Sequence, residues 1–150
     1  MSVHKVSIAW QRSAHTDRPD TYAREHIADY GSGLTLPVTA GAAYLGDPSK
    51  ADPEQLLVNA VASCHMLFFL ALAEGSGYVV ESYADDATGT VAKSDSGGFW
   101  VSRIELRPEA RFSGAKLPDA KAIERLHDRA HKGCFVGNSL KSEIIVSPVI

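Results

Sequence analysis

Asp52-Pro53-Glu54-Gln55-Leu56-Leu57-Val58-Asn59-Ala60-Val61-Ala62-Ser63-Cys64-His65-Met66-Leu67-Phe68-Phe69-Leu70 is the stretch on which the fold turns. Apolar residues recur at 57, 60, 61, 64, 68, 71 and 72, the spacing that one face of an α-helix requires. Asp52 is placed to cap the first free backbone N–H groups, and Pro53 suits the first helical position because it has no N–H to leave unsatisfied. Glu54 falls in the first turn, where the helix dipole favours negative charge, and Gly75 is the expected stop. Cys64 then lies on the inward face. The apolar run from Leu56 to Ala73 carries Asn59, Ser63 and His65, so it reads as a buried helix rather than a membrane span.

The chain has one other cysteine, and its setting is similar. Pro118 and Asp119 open a pattern in which Ala120, Ile123, Leu126, His127, Ala130 and Cys134 recur at three and four, with Lys121, Glu124, Arg125, Asp128 and Arg129 on the outer face. Gly133 and Gly137 loosen or end this second helix around Cys134. A cysteine at a helix terminus has backbone that can shift, which suits a thiol that must reach another.

Around these helices the sequence alternates. Val6, Ile8 and Trp10, then Leu34, Leu36 and Val38, predict an opening antiparallel unit, with Gln11 to Asp20 as loop and Tyr22 to Ile27 as a short extended piece. Tyr78 to Tyr83, Ala87 to Ala92, and Trp100, Ser102, Ile104 and Leu106 predict a second strand group with a turn at Ser94 to Gly98. Ile144 to Val146, just before Pro148, predicts a last strand at an edge. The order is strands, helix, strands, helix, strand, an α+β chain without internal repeats.

Composition narrows the function. At 150 residues, 45% hydrophobic and 22% charged, residues 1–150 are expected to form a single globular domain with a real core. A net charge of −3 and the lack of basic runs argue against nucleic acid as a partner. The first residues lack an apolar signal region, so a cytoplasmic protein without a membrane partner is expected. In that reducing compartment two cysteines are reactive or inert rather than a permanent bridge.

Two segments carry a resemblance. Pro53-Glu54-Gln55-Leu56-Leu57, with Cys64 ten residues after Glu54, and Gly133-Cys134 followed by Asn138-Ser139, together resemble the OsmC/Ohr family of thiol peroxidases. The resemblance implies an OsmC-like α+β fold, with curved antiparallel sheets wrapped around two cysteine-bearing helices in an intertwined homodimer. It implies Cys64 as the peroxidatic and Cys134 as the resolving cysteine of an organic hydroperoxide reductase. It also implies a role against oxidative stress and recycling by a thiol reductant, a lipoylated protein in many members. Where the organic-hydroperoxide branch usually has proline and tyrosine after the resolving cysteine, Phe135-Val136-Gly137 stands here, which leaves the preferred hydroperoxide and reductant open.

The chemistry can also be argued from the residues. A thiol with a pKa of about 8.5 is only a few per cent thiolate near neutrality, so a peroxidatic cysteine needs a cation beside it. Arginine serves best, because it stays charged and its fork can hold a thiolate and a carboxylate together. The family motif places that arginine before the first long helix and pairs it with Glu54, which leaves Arg12, Arg18 and Arg24. Arg24 is preferred because Tyr22-x-Arg24-x-His26 alternates in an extended segment. Ten helical residues separate Glu54 from Cys64, roughly 15 Å along the axis, so the two cannot touch within one chain. The expectation is that Glu54 and Arg24 serve the Cys64 of a partner subunit. Apolar Met66, Phe68, Phe69 and Phe135 are expected to line a channel for alkyl or lipid-like hydroperoxides. No cofactor or metal is required.

Other readings compete. Cys64 could be an inert buried thiol, Glu54 a simple dipole complement, Arg24 a surface cation. Cys64-His65 with His131-x-x-Cys134 supplies a zinc-type ligand set, although adjacent helical residues point about 100° apart. The same dimeric scaffold could instead bind a small apolar molecule without catalysis.

Overall fold

The computed structural model describes residues 1–150, which divide into two compact units, Met1–Leu56 and Leu57–Ile150. In the first, β1 (Ser7–Ala9), β2 (His26–Asp29) and β3 (Thr35–Val38) form an antiparallel sheet in that order. The predicted extended piece at Tyr22 to Ile27 is displaced: the ladder starts only at His26, and Ala14 and Tyr22 are joined by an isolated bridge. Between β3 and the long helix, Ala42–Tyr44 make one 3-10 turn, and Thr39 is tied to Ala51 by a backbone bond of 2.9 Å.

Helix α1 runs Pro53–Gly75 as the spacing predicts. Its start is a reciprocal cap, in which Gln55 N–H donates to Asp52 Oδ1 at 2.7 Å and Asp52 N–H donates to Gln55 Oε1 at 3.0 Å. It ends at Gly75 as expected, but the cap that ends it is built two residues later. Gly77, not Gly75, takes the left-handed conformation (φ +78°) that lets Gly77 N–H reach Glu74 O at 2.8 Å and Tyr78 N–H reach Ala73 O at 3.0 Å. By length and composition α1 could cross a membrane, yet Val61, His65, Phe69 and Ala73, at spacings of four, form a buried seam on one side.

The second unit holds β4 (Val79–Asp85), β5 (Thr88–Lys93), β6 (Phe99–Leu106), β7 (Pro108–Ser113), α2 (Ala120–Gly133), the single turn α3 (Phe135–Asn138) and β8 (Glu143–Val146). β4 pairs antiparallel with β7, and β5-β6-β8 form the other sheet. Sequence patterning misses β7 because its inward positions are Pro108, a poor strand former, Ala110 and Phe112, while Glu109 and Arg111 pair with each other at 3.2 Å on the outer face. β8 is an edge strand, as its position before Pro148 predicts. It runs parallel to β6, however, so the sheets are not wholly antiparallel. Two apolar clusters hold the unit together. Phe69, Ala73, Leu126 and Ala130 join α1 to α2, with Tyr83 and Phe112 packed against them, and Val61 meets Ile104 and Leu106 of β6.

Candidate active site around Cys64 and Cys134

Cys64 sits mid-way along α1, partly exposed, and Cys134 sits where α2 stops, 2% exposed. Both thiols are free, and Cys64 is a close enough neighbour to perturb the titration of Cys134. Seventy residues of sequence are thus closed at the α1–α2 seam.

Local structure explains how Cys134 is held. Asp119 caps α2 by accepting from Ala122 N–H at 2.7 Å, and the helix then runs to Gly133. Any side chain at Gly133 would put its Cβ 2.9 Å from the Phe68 ring of α1, so the close approach of α1 to this turn requires glycine. Cys134 leaves the helix in an extended conformation (φ −65°, ψ 108°), and its sulfur accepts from Gly137 N–H at 3.2 Å. A Cβ on Gly137 would come within 3.2 Å of Ile144 Cδ1 and 3.3 Å of that sulfur. The two glycines expected to end the helix do so by admitting neighbours that close. The Cys134 S–H points to Val61 O, 4.0 Å away and one turn before Cys64.

The two sulfurs differ in environment. Burial, with a smaller push from the neighbouring Cys64, raises the Cys134 thiol to about 11 against the pull of the Gly137 N–H. Cys134 is therefore a protonated thiol near neutrality, and Cys64 is the sulfur that solvent reaches.

The first unit carries the other expected residues. Arg24 lies just before β2, half-buried, donating to Tyr22 O and to Thr21 Oγ1 at 3.3 Å. Glu54 is exposed in the first turn of α1 and forms no ion pair with Arg24. Of the alternatives, Arg12 lies over the Tyr22 ring at 5.5 Å, and Arg18 pairs with exposed Asp20 at 3.4 Å. The apolar channel needs one correction: Phe69 is fully buried in the α1–α2 core and lines nothing, whereas Phe135 is 75% exposed and meets Phe68 edge-on at 5.1 Å.

Sequence reasoning missed one feature beside the sulfurs. His65 Nε2 and His127 Nδ1 are 3.0 Å apart, in rings that are both buried. His127 stands in the α2 stripe, but His65 lies one residue beside the stripe read for α1, and no local pattern says that the two rings meet. Of the zinc-type set, His65 turns its Nε2 to His127, and no group of three or more His, Cys, Asp or Glu is placed to hold one ion.

The family model described as OsmC-like protein matches residues 46–148. This chain belongs to the OsmC-like family. An OsmC-like protein of unknown function from Vibrio cholerae O1 is 35% identical, with 99% of this chain and 100% of that chain covered and a TM-score of 0.93. The fold is shared more distantly with the organic hydroperoxide resistance protein OhrB of Bacillus subtilis, at 19% identity, 98% and 96% coverage and a TM-score of 0.67. It is also shared with an organic hydroperoxide resistance protein OsmC from Legionella pneumophila, at 16% identity, 100% and 98% coverage and a TM-score of 0.70. No match was found among curated proteins. The OsmC-like fold accounts for the mixed helices and open sheets described above.

Proposed function

We propose that this OsmC-like protein is a thiol peroxidase that reduces organic hydroperoxides. The observation that carries the reading is the pairing of a solvent-reachable thiol, Cys64, with a buried, protonated thiol, Cys134, at a break between helices. The asymmetry supports a division of roles. Cys64 as thiolate attacks the peroxide oxygen distal to the alkyl group; an S–O bond forms, the O–O bond breaks, and the leaving alkoxide takes a proton to become the alcohol. The sulfenic acid on Cys64 then condenses with the Cys134 thiol. The S–S bond forms as hydroxide leaves with the Cys134 proton, as water. A dithiol reductant of the dihydrolipoamide class returns two electrons and two protons.

Arg24 is the cation proposed for the Cys64 thiolate and Glu54 the carboxylate that orients it. Ten helical residues separate Glu54 from Cys64, so this pair acts on the sulfur of a second copy, and the working form is a homodimer. A thiol cycle of this kind requires a reducing compartment, the cytoplasm.

The test is consumption of cumene hydroperoxide with dihydrolipoamide, set against hydrogen peroxide with dithiothreitol. The organic peroxide should be consumed faster. Cys64→Ser should abolish turnover, and Cys134→Ser should stop after one equivalent with a trapped sulfenic acid. Multiple turnover by Cys64→Ser would end the proposal, and indifference to both peroxides would leave a dimer that binds small molecules.

A further inference from the structure

Within their helical spans, α1 (Pro53–Gly75) and α2 (Ala120–Gly133) share one side-chain hydrogen bond, and two histidines make it. The His65 and His127 rings lie 4° from parallel with centroids 5.3 Å apart, at 1% and 3% exposure. Phe69 stacks on His127 at 4.3 Å. The outer nitrogens, His65 Nδ1 and His127 Nε2, are buried without a partner. Two leucines would fill this space with no polar atom left unsatisfied, so filling the core does not account for the pair. A directional bond does what apolar contact does not: it holds at one register, where greasy surfaces can slide at small cost. That register is also the register of the sulfurs. His65 follows Cys64 directly, and His127 precedes Cys134 by seven residues, about two turns along the same stripe.

We propose that His65 and His127 are positioning residues, which lock α1 against α2 at the register where the Cys64 and Cys134 sulfurs meet. The inference rests on reading those cysteines as a redox pair, and it needs no peroxide for its test. The groups facing the pair are few. Phe69 comes from α1, Asp128 and His131 from α2, and Tyr83 from β4. A cleft rimmed by Glu124, Asp128, His131, Val146, Pro148 and Ile150 borders His127. No carboxylate bonds either imidazole, and Asp128 offsets a positive charge on His127 less than burial opposes it. Burial keeps both rings neutral down to a pKa of about 4. Neutrality is what the lock requires, since one ring must present N–H and the other a lone pair.

The experiment is closure of the Cys64–Cys134 disulfide in the reduced full-length protein by diamide, whose N=N bond takes the two electrons and two protons that the thiols lose. Closure is followed by the loss of alkylatable thiols. His65→Leu/His127→Leu should be at least as stable to urea as the parent, yet close about tenfold more slowly or worse. His127→Asn, whose amide stands in for imidazole Nδ1, should close within about threefold of the parent. Closure of the double variant at the parental rate would overturn the proposal, as that is what a merely space-filling pair predicts. Should the double variant fail to fold, His127→Asn against His127→Leu carries the test, with about tenfold expected between them and equal rates fatal. Rapid parental closure without peroxidase activity would remove the enzyme and leave the lock standing. A parent that does not close at all would remove both.

Discussion

Burial separates two thiols that are chemically identical in the unfolded chain. Cys134 is shielded by Val61, Gly133 and Gly137, with its pKa pushed up, whereas Cys64 meets solvent. Iodoacetamide at neutral pH should therefore label Cys64 well before Cys134 in the native protein, with the order lost in urea; equal native rates would contradict the assigned roles. The buried histidines make a second residue-scale prediction. Their folded pKa values, about 4, lie below the ordinary 6.5, so between those values the unfolded chain takes up protons that the folded chain refuses. Stability is then complete above about pH 6.5 and falls as pH drops toward 4, on the order of 1–3 kcal/mol per ring. Urea midpoints across pH 4 to 7 should slope accordingly, and His65→Leu/His127→Leu should flatten that part of the slope.

At the scale of elements, α1 was legible because its signals are local. The capping residue, the proline, the apolar spacing and the length all lie within one stretch of chain, and removal of the cap by Asp52→Ala should cost about 1 kcal/mol in urea denaturation. The α2–α3 break was half legible. Two glycines mark it, but only the packed structure shows that Phe68 presses on one and Ile144 on the other. Gly133→Ala should destabilise by about 1–3 kcal/mol and slow disulfide closure, because Phe68 cannot yield without disturbing its edge contact with Phe135. Unchanged stability would mean that this turn relaxes freely. β7 was illegible, since a proline, an alanine and one aromatic residue between charged ones make no strand signal, and pairing with β4 across more than twenty residues of chain is what orders it.

For the whole molecule, α1 leaves most of its length outside the buried core. Of its 23 residues only Val61, His65, Phe69 and Ala73 are buried, and Leu67 is 62% exposed. In the proposed homodimer a second copy covers this face, which also carries the argument that Glu54 and Arg24 serve a neighbouring sulfur. Leu67→Glu should shift the protein to monomer on gel filtration and lower peroxidase turnover about tenfold or more, while leaving single-chain disulfide closure by diamide intact. Full specific activity in a demonstrated monomer would remove the second copy from the mechanism. The candidate site divides along the same line. Cys64 and Cys134 could be chosen from the sequence because both lie on apolar stripes with the spacing of a known family. The choice of Arg24 over Arg12 and Arg18 rested on alternation alone.

The sequence by itself determined the two helices, their caps, the strand order apart from β7, and the candidate sulfurs, because each rests on periodicity and end chemistry within about twenty residues. Only the tertiary structure decided that β8 runs parallel to β6, that Phe69 is core, and that Cys134 is buried where Cys64 is not. Tertiary structure alone also brought two histidines 62 residues apart to within 3.0 Å of each other. Such contacts arise where separate apolar faces settle against each other, and no spacing along a single stretch of chain encodes which groups will meet there.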